Sequence, residues 1–270
     1  MEEAPYLAAS DGLLARKSGL WAKRKHHYLR NYCGITTKSV RKKLRLVYLD
    51  VMAGPGLCKI KETGEEFPGS PLIALEHEFD EFIFIEGDPQ LADALKQRVA
   101  KHSKASRAAV VAKNWLGVLE DGGLRFSDGT LVVAFVDPTG ISQVPMKAML
   151  KLTKNRRIDL LVTIQHSLGI TWNVPQYIKS ESAQTALDTF LDSGDWRKWK
   201  WKEASEFAGM AIDAFSQCIQ KEGFIGTRHI SVPSEQPLYR FTLFSRHPLA
   251  EKFWNEILKI DETGQRERHF

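Results

Sequence analysis

Short, almost uninterrupted apolar runs separated by helical patterns constrain the fold of this chain more than any other feature of its sequence. Five such runs occur before residue 170: Leu46–Val51, Glu81–Ile85, Ala108–Ala112, Leu131–Val136 and Ile158–Ile164. Apolar runs without polar alternation are typical of parallel strands that are covered on both faces. The sequence therefore predicts a buried, parallel sheet.

The later part of the pattern predicts how this sheet ends. A long helix is expected over Ala204–Gln220, and two late strands, Thr227–Val232 and Leu238–Ser245, are joined by a proline-bounded loop that allows antiparallel pairing. This order predicts an α/β fold: a Rossmann-like, seven-stranded, mostly parallel sheet with an antiparallel edge strand, as in class I methyltransferases that use S-adenosylmethionine (SAM). Other nucleotide-binding α/β proteins share this order, so the motifs must distinguish between them.

The same patterns predict the domain organisation. Residues 1–45 are expected to be a basic, helical extension whose helix covers Trp21–Cys33, and residues 46–260 are expected to form the Rossmann-like domain. A polar, tryptophan-rich insertion is predicted at about residues 169–202, and residues 261–270 are predicted to be a flexible tail.

Composition excludes several classes of protein. With 270 residues, of which 43% are hydrophobic and 26% are charged, the chain has the composition of a globular protein. No apolar stretch approaches the ~18 residues of a membrane span, and the N-terminus lacks the pattern of a signal peptide. Cys33, Cys58 and Cys218 are too widely spaced to predict a zinc site or a disulfide framework. We expect a cytoplasmic protein without metal or membrane contact.

Charge is concentrated near the N-terminus. Between Gly12 and Leu49 the chain has eleven Lys or Arg and no Asp or Glu, so this segment carries +11 and the remainder carries −6. Such a concentration favours binding of polyanions. The residues expected to bind a nucleic-acid substrate are Lys25, Arg41, Lys42 and Lys43. The alternative is a solvated basic surface without a partner.

The most informative motif follows the first predicted strand. Asp50, Ala53, Gly54 and Gly56 lie at its carboxyl end, where ligands bind in open α/β sheets. The glycines would let the backbone approach a ligand closely, and Asp50 could accept a hydrogen bond or pair with an ammonium group. These residues are candidate cofactor ligands, and the alternative is a plain tight turn.

Two further candidate cofactor ligands follow the next strands. Glu86 lies thirty residues after Gly56, at the position where dinucleotide sites carry an acid for ribose hydroxyls. A polar loop, expected to be an exposed flap near the ligand, accounts for this long spacing, and Ser70 with Pro71 predicts the N-cap and first residue of the next helix. Asn114 could contact an adenine edge. Helix capping is the alternative for Glu86, and a turn is the alternative for Asn114.

Candidate acceptor-side residues follow the fourth and fifth strands. Asp137 and Pro138 are the candidate catalytic residues: they resemble the D/N-P-P-aromatic string with which amino-methyltransferases hold a target amine, although the second proline and the aromatic residue are absent. His166 and Trp172 are candidate substrate contacts. The string Asp195–Lys202 interleaves three tryptophans with cations, which suits nucleic acid; packing of this string on the sheet is the alternative.

Several of these strings together resemble the three-Cys-motif partner proteins, a bacterial family with a SAM methyltransferase-like core. The matching segments extend over most of the chain: Lys25-His26, Tyr48–Gly56, Gly69–Leu75, Ile85-Glu86, Ala134–Gly140 and Tyr239–Leu249. The resemblance implies SAM as cofactor and a separate partner protein that carries the cysteine motif. It implies no metal site in this chain and supplies no substrate.

The sequence leaves two functions open. The first is a SAM-dependent methyltransferase that acts on RNA or DNA, with Asp137 orienting the acceptor. The second is a weakly catalytic or non-catalytic Rossmann scaffold that binds a three-Cys-motif protein. Nuclease activity is disfavoured, because the sequence has no carboxylate cluster suited to a metal ion.

Overall fold

The structure is a computed structural model that describes residues 5–180, 184–226, 229–232 and 238–260. The chain divides into two compact units, Met1–Phe135 with Lys252–Phe270 and Val136–Glu251. Within the described ranges, no helix is both long enough and apolar enough to cross a membrane.

The secondary structure alternates between strands and helices for most of the chain. The strands are β1 (Tyr6–Ala8), β2 (Leu14–Ser18), β3 (Arg45–Asp50), β4 (Leu57–Ile60), β5 (Glu66–Pro68), β6 (Glu81–Glu86), β7 (Ala108–Ala112), β8 (Thr130–Val136), β9 (Ile158–Gln165), β10 (Ile225–Gly226), β11 (Ile230–Val232) and β12 (Tyr239–Ser245). The helices are α1 (Trp21–Val40), α2 (Ser70–Leu75), α3 (Pro89–Ala100), α4 (Trp115–Glu120), α5 (Met146–Thr153), α6 (Val174–Lys179), α7 (Ala186–Leu191), α8 (Ala204–Lys221) and α9 (Pro248–Ile257).

Parallel strands form the centre of the first unit. Their order is β8-β3-β6-β7, and β3 is hydrogen-bonded on both sides, with Asp50 opposite Phe84 of β6 and opposite Phe135 of β8. Every residue of β8 and all but the first of β3 are buried, because both faces of these strands are covered. This arrangement brings the carboxyl ends of β3 and β6 side by side.

A second, smaller sheet in the first unit was not predicted. Its order is β1-β2-β4-β5, and β2 pairs in parallel with β4. The expected flap after Gly56 was therefore wrong: these residues form the β4–β5 hairpin, with Cys58 and Ile60 buried. The Glu66 carboxylate accepts hydrogen bonds from the backbone N–H and the hydroxyl of Ser10 at 2.8 and 2.6 Å, which holds the two hairpins together.

Helix α1 belongs to the core of the first unit. It extends seven residues beyond the predicted end at Cys33, and Tyr28 and Tyr32 are buried against Trp254 of α9, with ring centroids 6.2 and 6.3 Å apart. Residues 1–45 were expected to be a helical extension; the described part of that segment also contains β1 and β2.

The second unit contains the antiparallel part of the sheet. Strand β12 pairs with β9, from Tyr239 opposite Gln165 to Phe244 opposite Leu160, and both β10 and β11 also pair with β12. Helix α8 buries an apolar stripe that includes Phe207 and Phe215. The α/β fold class predicted from the sequence, a Rossmann-like arrangement with a mostly parallel sheet and antiparallel late strands, is confirmed. The predicted number of seven strands was wrong: the described residues provide eight, namely β3 and β6 to β12. Residues 227–228 of the predicted sixth strand lie outside the described residues, as do residues 261–270 of the predicted tail.

The helices α2 and α3 begin at well-defined caps. Asp88 is the N-cap of α3, and its carboxylate accepts hydrogen bonds from the backbone N–H groups of Gln90 and Leu91. The N-cap of α2 is Gly69 rather than Ser70, so that prediction was wrong by one residue.

Packing explains the tryptophan-rich string of the second unit. The indole of Trp196 is buried and donates to Asp188 Oδ1 at 2.8 Å, while Trp199 and Trp201 lie with ring centroids 5.6 Å from Phe207. Arg197 donates a second bond to Asp188 and thereby lowers the pKa of that carboxyl well below its usual range. These contacts favour the packing interpretation of this string over stacking with bases.

Loss of the Asp188 carboxylate is expected to destabilise the protein. Asp188→Asn should lower the free energy of unfolding by about 1–3 kcal/mol, because it breaks charge-assisted bonds to Arg197. The folded-state pKa is depressed, so this stabilisation is fully present above the unfolded-state pKa of about 3.9 and is lost as the pH falls through the folded-state value. Denaturant unfolding at pH 7 measures the first effect, and a series extended down to about pH 2 measures the second.

The matched control is Asp195→Asn, which removes a carboxylate from the exposed pair with Lys198 in the same segment. Exposed pairs contribute little, so this change should leave the free energy of unfolding nearly unaltered. Equal losses in the two variants would show that the Asp188 network is not what holds the segment.

Candidate functional site

The turn after β3 has a backbone geometry that requires glycine. Gly54 and Gly56 have φ of +65° and +86°, a region that side chains with a Cβ rarely adopt. A Cβ on Gly54 would have no protein atom within 4 Å, whereas a Cβ on Gly56 would lie 2.9 Å from Leu95 Cδ1. Gly56 therefore lies against the Leu95 side chain, while Gly54 borders open space that a ligand could fill.

The carboxylate of Glu86 fixes this turn to the end of the neighbouring strand. Its Oε2 accepts a hydrogen bond from Gly54 N–H at 2.7 Å, and its Oε1 accepts one from Asp88 N–H at 2.8 Å. Ala53 N–H donates to the carbonyl of Ile85 at 2.9 Å, which joins the same two segments. An ionised carboxylate has about four acceptor positions, so Glu86 keeps capacity for further donors.

Asp50 is buried completely beneath the turn. The hydroxyl of Tyr48 and the backbone N–H of Met52 both lie 3.4 Å from its carboxylate oxygens. Burial, together with the negative charge of Asp50, raises the pKa of the Cys33 thiol. Cys33 is therefore a protonated core residue and not a nucleophile.

A buried arginine that the sequence analysis did not single out ties the turn to the N-terminal hairpin. Arg98 of α3 donates to both carboxylate oxygens of Asp11 at 2.8 Å, and it also donates to the carbonyls of Leu14 and Pro55 at 2.7 and 2.6 Å. Its side chain is only 5% exposed. We call these four bonds the Arg98 clamp; they bring residues far apart in sequence to one side of the glycine turn.

The N-terminal hairpin also lies within electrostatic range of Glu86. Burial raises the pKa of Tyr6 in β1; the positive charge of Arg16 opposes this shift, and the carboxylates of Glu86 and Asp88 add to it. The hairpin is therefore part of the environment of the candidate cofactor site.

Loss of the Asp11 carboxylate is expected to loosen both segments that the Arg98 clamp joins. Asp11→Ala should lower the free energy of unfolding by about 1–3 kcal/mol, because the buried guanidinium loses its charged partner. Hydrogen–deuterium exchange should become faster at residues 5–18 and at residues 53–57.

The control for this change is Asp121→Ala, which removes an exposed carboxylate paired with Lys113 in the same unit. It should change stability by about 0–1 kcal/mol and leave exchange at both segments unaltered. Faster exchange at residues 5–18 alone would contradict the coupling through Arg98.

Asn114 is placed beside this site in a capping role. It is the N-cap of α4, and its Oδ1 accepts a hydrogen bond from Leu116 N–H at 2.9 Å. A Cβ on Gly87 would lie 3.6 Å from Asn114 Cα, so the backbones after β6 and β7 are close together. Asp50, Ala53, Gly54, Gly56, Glu86 and Asn114 thus all lie at or just beyond the carboxyl ends of β3, β6 and β7.

In the second unit, Asp137 and Pro138 belong to a turn that is fixed by two glutamines. The carbonyl of Pro138 accepts a hydrogen bond from Gln165 Nε2 at 2.8 Å, and Gln143 Oε1 accepts one from Thr139 N–H at 2.7 Å. Asp137 is half-buried. The bond from Gln165 occupies one of the two lone pairs of the Pro138 carbonyl.

The two other acceptor-side candidates differ in exposure. His166 is only 5% exposed, and its backbone N–H donates to the carbonyl of Leu238 at 3.0 Å. Trp172 is 61% exposed and lies in the same unit as the exposed Leu168. Exposure favours Trp172 over His166 as a contact for a large substrate.

Ion pairs neutralise much of the basic segment. Lys23, Arg30, Arg41 and Arg45 pair with Glu65, Glu76, Glu78 and Glu81, all of them more than thirty residues away in sequence. Lys25, a candidate nucleic-acid contact, is only 7% exposed, because α1 buries residues on more than one side. Lys38, Lys42 and Lys43 remain exposed, and no described carboxylate lies within ion-pair distance of them.

A signal for Arg98 was present in the sequence. Leu91, Leu95 and Val99 mark the buried stripe of α3, and Arg98 falls on the same side at helical spacing. A charged residue on an apolar stripe indicates a buried partner. Asp11 carried no such signal, because it lies 87 residues away in a short turn.

Comparison with protein-family profiles gives no match for this chain, and comparison with curated protein sequences gives none either. Among solved structures, protein LPL1258 of the DUF519 family from Legionella pneumophila is 12% identical, with a TM-score of 0.56, and the match covers 92% of this chain and 95% of that one. Likeness at this identity supports the fold alone.

Two other solved structures match less closely. A proposed methyltransferase, yhhF from Escherichia coli, is 14% identical, with a TM-score of 0.46 and coverage of 90% of this chain and 98% of that one. A methyltransferase from Geobacter sulfurreducens is 8% identical, with a TM-score of 0.45 and coverage of 86% and 81%.

Proposed function

We propose that this protein is a methyltransferase that binds SAM at the glycine turn of its first unit and acts on a nucleic acid. One observation carries the proposal: Gly54 borders open space at the end of β3, while Glu86, at the end of β6, holds the turn through its carboxylate. Acids at this position bind ribose hydroxyls in related folds.

The residues of the turn fit such a cofactor. The positive φ of Gly54 lets the backbone come close to a ligand, and Glu86 retains acceptor positions for hydroxyl donors. Asp50 would fix the turn from below, and Asn114 and Ala53 would line its sides. When bound, SAM supplies a methyl group that its sulfonium makes electrophilic.

A side chain at Gly54 is expected to block the cofactor without unfolding the protein. Gly54→Ala should weaken SAM binding roughly tenfold or more in calorimetric titration, because the added methyl occupies the open space beside the turn. The same variant should lose about 1–2 kcal/mol of stability, because alanine is strained at the positive φ of this position.

Gly129→Ala is the matched control. Gly129 has φ of +78° and likewise has no protein atom within 4 Å of a Cβ, but it precedes β8 and is remote from the turn in sequence. The two variants should lose similar stability, and only Gly54→Ala should lose SAM affinity. Equal SAM affinity in both variants would contradict the proposed site.

Asp137 is proposed to orient the acceptor. It directly follows β8, and its carboxylate could accept a hydrogen from the attacking group. Asp137→Ala should keep SAM affinity within about twofold and lower methyl transfer to RNA or DNA by roughly a hundredfold. Transfer of labelled methyl groups measures this, with the exposed Asp195→Ala as control; unchanged turnover in Asp137→Ala would remove Asp137 from the mechanism.

Nucleic acid is proposed to bind at the end of α1, where Lys38, Lys42 and Lys43 are exposed. The logarithm of the binding constant for duplex DNA falls linearly with the logarithm of the salt concentration. Phosphate contacts from these three cations predict a slope of about −3, whereas contacts from all eleven cations of the basic segment would predict about −10. Combined Lys42→Glu and Lys43→Glu should weaken binding for all sequences alike.

The control for this pair is Lys151→Glu with Lys154→Glu, which reverses two exposed charges in the second unit. The affinity of this double variant for nucleic acid should stay close to that of the wild type. A salt slope near zero, or equal weakening by both pairs, would contradict phosphate binding at the end of α1.

A scaffold that binds a three-Cys-motif protein is the second candidate. The incomplete motif at Asp137–Gly140 supports it, as does the hydrogen bond from Gln165 that leaves the Pro138 carbonyl one free lone pair for an acceptor. SAM binding without transfer to any nucleic acid, together with co-purification of a cysteine-motif protein, would favour the scaffold over the enzyme.

A further inference from the structure

The second unit contains a half-open cavity of about 240 Å³ between β12 and α8. Strand alternation places Arg240, Thr242 and Phe244 on the same face of β12. Ile164 of β9 is paired with Arg240, and α8 contributes Ile212. The cavity therefore combines three apolar side chains with a guanidinium group among several polar residues, and we call it the Arg240 cavity.

Arg240 is half-buried, so its guanidinium is partly removed from water. Its Nε is buried and forms no hydrogen bond with any residue that the structure describes. Burial lowers the pKa of Arg240, and Asp213, which also lines the cavity, opposes this shift only at longer range. Within the described residues no carboxylate forms an ion pair with Arg240.

Arg246 directly follows β12 in the same unit, and its guanidinium has the hydrogen-bond acceptors that Arg240 Nε lacks among the described residues. Its guanidinium donates to the carbonyls of Glu222, Thr153 and Arg156 at 3.0 to 3.2 Å. A desolvated cation without such acceptors is costly, and an anion that enters the cavity would remove that cost. This difference between Arg246 and Arg240 indicates that the guanidinium of Arg240 can donate hydrogen bonds to a ligand.

We propose that the Arg240 cavity binds a small monocarboxylate, with the carboxylate at Arg240 and a short apolar tail against Ile164, Ile212 and Phe244. The planar guanidinium matches a carboxylate through paired hydrogen bonds. The carboxylate of Asp213 would repel a doubly charged phosphate more strongly than a singly charged group. The small volume excludes a nucleotide.

Propionate is the probe for this site, and the Nε–H resonance of Arg240 in ¹⁵N-labelled full-length protein is the readout. At constant ionic strength the resonance should shift and saturate with a Kd on the order of 1 mM, as expected for so small a ligand. Propan-1-ol, which has the tail without the charge, should produce no saturable shift. Inorganic phosphate should bind more weakly than propionate.

Two variants locate the site. Arg240→Gln removes the guanidinium and should weaken propionate binding roughly tenfold or more, read from backbone amides of α8 and from the thermal midpoint. Arg157→Gln removes an equal, exposed charge from a residue that does not line the cavity, and its affinity should stay within about twofold. A folded Arg240→Gln protein keeps its remaining amide spectrum.

Each contrary result overturns the proposal. A shift that grows linearly without saturation, or equal propionate affinity in Arg240→Gln and wild type, would show that Arg240 holds no carboxylate. Tighter binding of phosphate, or saturable binding of propan-1-ol, would show that the cavity selects another ligand class. These outcomes are independent of SAM binding, because all lining residues belong to the second unit.

Discussion

The Arg98 clamp is the interaction on which the first unit depends. A buried guanidinium cannot donate to water, so its N–H groups need acceptors within the protein. Four bonds satisfy it here, to the Asp11 carboxylate and to the carbonyls of Leu14 and Pro55. The clamp thus joins β2, a strand of only five residues, to the glycine turn with its positive φ angles.

Glu86 supplies the second constraint on the glycine turn. It bonds the backbone of Gly54 and of Asp88, so one carboxylate sets both the turn after β3 and the start of α3. A turn held from two sides keeps its positive φ without a ligand. Such preorganisation lowers the entropic cost of binding, which is what a cofactor site requires.

The sheet and the positions of the candidate site residues could be predicted from the sequence, because the apolar runs of β3, β6 and β8 are strong local signals and ligands bind at strand ends. The β1–β2 hairpin could not, since its strands are short and its fastening to Glu66 spans 56 residues. The charge of α1 was misjudged for the same reason: Arg30 pairs with Glu76, 46 residues later. Local patterns carry no information about such distant partners.

Hydrogen–deuterium exchange of the full chain with and without saturating SAM tests the central claim most directly, because it reports both whether SAM binds and where. We predict slower exchange at residues 52–56 and 86–88, together with residues 5–18 through the Arg98 clamp. Exchange at the Arg240 cavity should not change. Unaltered exchange throughout, or protection confined to residues 136–251, would contradict a cofactor site at the glycine turn.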